Sequence, residues 1–188
     1  MTLSILVWLP LVVAVLGALL GRTVAPRLAL LGSLATLGIA ISFVARFDSG
    51  SDGLQFVTHE SWISALGISY SLGVDGLNVV LLLLTAFLFA VATVFANLRT
   101  WERPGLFYFH LGLAETAVLG AFCAQDLILF VAFFDLMLIP FYFLTGIWGS
   151  GGREQRVRAT QKLVIYTLVG SLLMLVAAVA TGVLAAEQ

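Results

Sequence analysis

The chain has 188 residues, of which 61% are hydrophobic and only 10% charged, with a formal net charge of −1 and a mean hydropathy of +1.11. Soluble domains carry about 25% charged residues to solvate their surface, so nine Lys and Arg with ten Asp and Glu exclude a water-soluble globule, a disordered chain and a nucleic-acid binder. A single cysteine, Cys123, excludes an internal disulfide and any cysteine-clustered metal or iron–sulfur site.

The apolar runs predict an all-α membrane protein with six transmembrane helices, over about 3–21, 28–45, 75–98, 105–124, 126–148 and 162–185. Each is close to the roughly 20 residues a bilayer span needs. The runs are continuous, without the two-residue alternation of a membrane barrel. The first follows Met-Thr-Leu-Ser, which lacks a basic leader region, and is read as a retained helix.

Between helices 2 and 3, Asp48 to Gly53 is rich in turn formers, and Ile68, Tyr70, Leu72 and Val74 alternate with small or polar residues. This predicts a short β-hairpin. Asp75 and Asp126 each precede an apolar run and suit helix N-caps. Trp8, Trp101 and Trp148 fall near helix ends, where interfacial anchors sit.

Charge asymmetry predicts orientation. Arg22, Arg27, Arg99, Arg103, Arg153, Arg156, Arg158 and Lys162 flank connections one, three and five, leaving only Arg46 for the opposite side. The positive-inside rule places those eight cations in the cytoplasm. Both termini and the hairpin then face the outer, periplasmic or lumenal, side.

Two acids lie within apolar windows, Glu115 in helix 4 and Asp135 in helix 5. Each stands ten residues from the turn at Gln125, or about 15 Å along its helix, near the midplane of a core about 30 Å thick. Ionisable groups there are costly and mark function by default; the competing reading is a neutral, hydrogen-bonded packing residue. Pro140 frees the carbonyl of Leu136, the residue after Asp135, and Tyr142 shares the acid's face. Lys162, at the predicted mouth of helix 6, is either a proton relay or a helix-end lysine reaching the interface. His110 reads as a structural histidine, and the phenylalanines of helix 5 as lipid-facing and packing surface.

The run Asp126-Leu-Ile-Leu-Phe-Val-Ala-Phe-Phe-Asp135-Leu-Met-Leu-Ile-Pro140-Phe-Tyr142, followed by Trp148-Gly149, resembles the fifth-helix signature of the antiporter-like membrane subunits of respiratory complex I, chain M type. Ser71-Leu-Gly-Val-Asp75-Gly-Leu-Asn78 is similar to that family's entry to helix 3, and Ala159-Thr-Gln-Lys162-Leu-Val-Ile-Tyr166 to its entry to helix 6. The resemblance implies proton translocation by a membrane subunit of NADH:quinone oxidoreductase. It implies a proton-transfer role for Asp135, with Glu115 and Lys162 as further candidates. Asp135 stands where the family has glutamate, one methylene longer, and Phe134 where it has tryptophan.

The family's subunits have about fourteen helices, so the resemblance implies that these residues are the N-terminal portion of a longer subunit. It also implies no cofactor in this chain, with NADH, FMN, iron–sulfur clusters and quinone on partner subunits. The expected partners are other membrane subunits, the lipid bilayer and protons, with no nucleic acid, in a bacterial inner membrane. The alternatives are a subunit of a multi-subunit cation/proton antiporter or membrane-bound hydrogenase, or a non-pumping scaffold derived from one.

Overall fold

A computed structural model of the chain describes residues 2–50, 53–63 and 68–186. Six helices, all long and apolar enough to cross a membrane, run α1 (Leu3–Leu20), α2 (Ala25–Arg46), α3 (Gly76–Asn97), α4 (Pro104–Cys123), α5 (Leu127–Trp148) and α6 (Arg153–Ala186), with strands β1 (Gln55–Ile63) and β2 (Ile68–Val74) between α2 and α3. The chain is a multi-pass membrane protein. Its outer surface carries Leu77, Phe95, Leu98, Leu173 and Val176, each about two-thirds exposed or more. Such a surface suits hydrocarbon or further membrane helices, not water.

α4 is the centre of the bundle and packs on α1, α2, α3 and α5. Small residues make this possible. A Cβ on Gly112 would stand 2.5 Å from Ala14 Cβ and 2.8 Å from the Pro10 carbonyl oxygen, and one on Gly120 would strike the Phe133 ring. Without a hydrophobic drive between helices in lipid, such close backbone approach is what holds them together. α6 packs on α5 through a single face marked by buried Thr160, Ser171 and Ala178.

β1 and β2 pair antiparallel, with His59 opposite Ser71, and a bulge at Phe56 (φ 55°) bends β1. β2 also holds the α4–α5 turn. Leu72 bridges Ala124, the Gln125 N–H donates to the Ser71 carbonyl at 2.9 Å, and Gln125 Nε2 donates to Gly73 O at 3.1 Å. The loop joining the strands (64–67) lies outside the described residues.

The other end of the bundle collects the cations. Arg22 lies by Arg99 and Trp101 in one surface hollow and by Arg103 in the next, and Arg103 shares a third with Arg153 and Arg156. Both predicted caps form: Asp75 accepts the Asn78 N–H at 2.7 Å, and Asp126 accepts those of Ile128 and Leu129.

The start of α6 departs from expectation. The helix begins at Arg153, two and a half turns before Lys162. Residues 153–161 are mostly polar and, in their Arg, Glu, Gln and Ala, good helix formers, and Glu154 pairs with Arg158 one turn on, at 2.6 Å. Hydropathy marks only where the apolar run begins.

The tryptophans do more than sit near helix ends. Trp8 Nε1 donates to Tyr70 Oη, Trp101 Nε1 to Ala96 O and Trp148 Nε1 to Glu102 O. Each indole ties two segments of the protein.

Candidate functional site: two membrane carboxylates on separate interfaces

Glu115 is 3% exposed and projects from α4 into the space between α1, α2 and α3. There it lines a cavity of about 10 Å³ with Pro10, Ser33, Thr93 and Tyr108, at the lower edge of what one water requires. Its Oε1 is buried without a hydrogen-bond partner.

The neighbouring stretch of α1 carries a proline within a continuous helix. Pro10 has no N–H to give its helix, and the Leu11 N–H donates to Thr116 Oγ1 of α4 at 3.1 Å. The fold therefore places a free carboxylate oxygen, three hydroxyl-bearing residues and a proline-bearing helix around one small void.

Asp135 is half-buried, and its Oδ1 is likewise buried without a partner. Its direction follows from the helix. Phe133 points at Gly120 of α4, and Asp135, two residues on, lies about 200° around the helix from it. Gly146 falls within about 20° of Asp135 on the same helix, and Gly146 faces Thr160 of α6. Asp135 thus belongs to the α6 side of α5. Continuing that antiparallel register brings Ser171 of α6 level with it, to within about a turn.

The two acids therefore occupy neighbouring helices, as the sequence suggested, but not a common pocket. Lys162 joins neither. It is exposed and lies about 200° around α6 from Thr160, the residue that meets α5. The depth argument matched the two acids, whereas rotation about the helix axes turns them to different interfaces, and Lys162, expected at the mouth of helix 6, faces away from both.

His110 is buried, with Nδ1 2.7 Å from the Leu106 carbonyl oxygen one turn back, and its ring lies against Phe143 and Trp148. This is the structural role expected of it. Among the described residues no three His, Cys, Asp or Glu side chains lie together.

Sequence reasoning missed Thr116 as the acceptor for α1. It also missed the second use of Asp126. Burial alone would raise that carboxyl's pKa, but hydrogen bonds from the Ser69, Leu129 and Ile128 N–H groups and the Ser69 hydroxyl outweigh it. They hold the carboxyl below its ordinary value of 3.8.

Residues 124–185 match the family model described as NADH:quinone oxidoreductase/Mrp antiporter, transmembrane. That segment contains all of α5, most of α6, Asp135 and Lys162. F(420)H(2) dehydrogenase subunit M of Methanosarcina mazei is 37% identical over 173 residues, covering 92% of this chain and 34% of that protein. NADH-quinone oxidoreductase subunit M of Rhodobacter capsulatus is 35% identical over 190 residues, covering 97% of this chain and 36% of that protein.

Among solved structures, respiratory complex I from Thermus thermophilus with bound NADH contains a chain that superposes with a TM-score of 0.80 at 28% identity. That superposition covers 94% of this chain and 35% of the other. The chain thus spans about a third of the length of the relatives it matches. Over nearly all of its own length it is a homologue of the antiporter-like membrane subunits of complex I, and its residues 124–185 carry that family's transmembrane segment.

Proposed function

We propose that this chain is part of a proton-translocating membrane subunit of an NADH:quinone oxidoreductase-type assembly, with Asp135 as the group that takes up and releases the proton. The observation that carries this is the Asp135 carboxylate itself. It sits mid-helix in α5, within the matched family segment, with one oxygen buried and unpartnered. A buried polar atom left unpaired costs about 1–3 kcal/mol, a poor arrangement for packing and a suitable one for a group that must change protonation state. Pro140 supports it, since the Leu136 carbonyl lacks its helical donor and can hold a water where a helix is buried within protein. Redox-driven changes elsewhere in the assembly would shift the balance between desolvation and nearby charge that sets the Asp135 proton affinity.

Glu115 acts as a second, separate protonation site in its own cavity. Lys162, facing away from α5, serves as a cytoplasmic-side cation for whatever packs on the outer face of α6. The cation-rich end faces the cytoplasm, and the termini and the β1–β2 sheet face outward, in a bacterial inner membrane. NADH, FMN, iron–sulfur clusters and quinone reside on partner subunits, with this chain bound to other membrane subunits. The names of the two relatives differ in electron donor while their sequences share these helices. That suits a chain which never meets the donor.

The test is Asp135→Asn in the native assembly, with protons translocated per electron as the readout. A several-fold fall in protons translocated per electron with the assembly intact, and recovery in Asp135→Glu, is the expected result. Unchanged translocation removes Asp135 from the mechanism, and failure to assemble in both variants assigns it a structural role.

A further inference from the structure

A third polar cluster serves neither carboxylate. At the cationic end, a cleft of about 650 Å³ opens between α5 and the first turns of α6, walled on its third side by the α3–α4 connection. Arg103, Arg153 and Arg156 line it against a single acid, Glu102. Among the described residues none of these three arginines has an ion-pair partner, the only pair being Arg158 with Glu154.

Two donors in the cleft are buried and unused. Thr160 is 2% exposed, and its Oγ1 has no hydrogen-bond partner. Arg156 donates from Nη1 to the Gly149 carbonyl at 3.2 Å, which fixes the guanidinium, and its Nε is buried and unpaired. A buried donor without an acceptor is costly, and a fixed guanidinium beside a hydroxyl suits an oxyanion. The start of α6 at Arg153 adds the positive end of a helix dipole to the same mouth. Deeper in, past the level of Thr160, the lining is the aromatic pair Tyr142 and Phe143, both more than a third exposed.

A cationic mouth with unsatisfied donors, continuous with an apolar wall, matches an amphiphile in shape and charge. We propose that this cleft binds the phosphate headgroup of an anionic membrane lipid. Arg156 Nε and Thr160 Oγ1 donate to the phosphate oxygens, Arg103 and Arg153 balance the charge against Glu102, and the acyl chains lie along Tyr142 and Phe143. The site is distinct from the proton-transfer residues, and its occupancy stands or falls independently of translocation.

Photo-crosslinking tests this on the purified assembly. A phosphatidylglycerol carrying a photoactivatable group near the headgroup should label peptides within residues 142–161. Arg156→Gln and Thr160→Val should each cut the labelling about tenfold, a loss of one good charge-assisted contact, with melting temperature and subunit content unchanged. Thr160→Val is nearly isosteric and keeps the test valid should Arg156→Gln fail to assemble. A phosphatidylcholine analogue should label far less, and excess inorganic phosphate should not displace the lipid. Equal labelling by phosphatidylcholine, labelling untouched by both variants, or full displacement by inorganic phosphate overturns the proposal; the last assigns the cleft to free phosphate.

Discussion

Asp126 and Ser69, 57 residues apart, are joined through a single carboxylate oxygen. Asp126 Oδ2 accepts the Ser69 N–H at 3.0 Å and the Ser69 hydroxyl at 3.3 Å, while Oδ1 accepts the first N–H groups of α5 at 2.9 and 3.1 Å. One side chain thus starts α5 and fastens β2 to it. Asp126→Ala should lower stability by about 1–2 kcal/mol for the cap, and further for the two Ser69 donors left behind. Thermal melts in detergent read the loss.

The same carboxyl gives a pH dependence of defined sign. Its folded-state pKa lies below its ordinary value of 3.8, because the donated hydrogen bonds outweigh its burial. Its contribution is therefore complete above that ordinary value and fades as pH falls through the lower, folded-state one. The stability gap between the native chain and Asp126→Asn should be constant from neutral pH to about 5 and narrow only below about 4. A gap that narrows between pH 7 and 5 would contradict the assignment.

The contact of Gly112 with α1 predicts a sharp size limit. An added methyl would meet Ala14 Cβ at 2.5 Å and the Pro10 carbonyl oxygen at 2.8 Å, and neither can swing away because both belong to the backbone or its first carbon. Gly112→Ala should destabilise by about 1–3 kcal/mol, the usual cost of overpacking. Gly38→Ala, where a Cβ meets nothing within 4 Å, should be neutral or slightly stabilising from helix propensity. Comparing the two variants by melting temperature separates packing from propensity.

Thr116 offers a near-isosteric test of the α1–α4 hydrogen bond. Thr116→Val keeps the shape but removes the acceptor for the Leu11 N–H. Losing that interhelical hydrogen bond should cost about 0.5–1.5 kcal/mol. Amide exchange at Leu11 should accelerate while the ends of α1 remain as protected as before.

The sequence made some of this legible and hid the rest for a physical reason. Apolar run length gave the spans, and Asp75 and Asp126 announced themselves as caps because an acid just before a helix has few other uses there. The start of α6 at Arg153 was invisible to hydropathy, since a helix can extend into water on propensity and an Arg158–Glu154 pair. Depth within the membrane is one-dimensional and could be counted along the chain, which is why Glu115 and Asp135 stood out. The direction each acid faces depends on how its helix is turned. That rotation is fixed by contacts far apart in sequence, Phe133 on Gly120 and Gly146 on Thr160.

That separation of the two acids has a measurable consequence. Glu115 faces the α1–α3 side of α4, and Asp135 faces the α6 side of α5, with no shared partner among the described residues. Sites without shared partners combine additively to within about 0.5 kcal/mol, whereas groups in one network couple by about 0.5–3 kcal/mol. In the native assembly, Glu115→Gln, Asp135→Asn and the double variant form such a cycle, read as the rate of proton translocation at fixed electron flux. The expected result is a double variant whose fractional rate is the product of the two single ones, with measurable residual activity from Glu115→Gln alone. A double variant no worse than the poorer single one would place both carboxylates on one obligatory path. It would require a water-filled connection between the α1–α4 cavity and the α5–α6 interface.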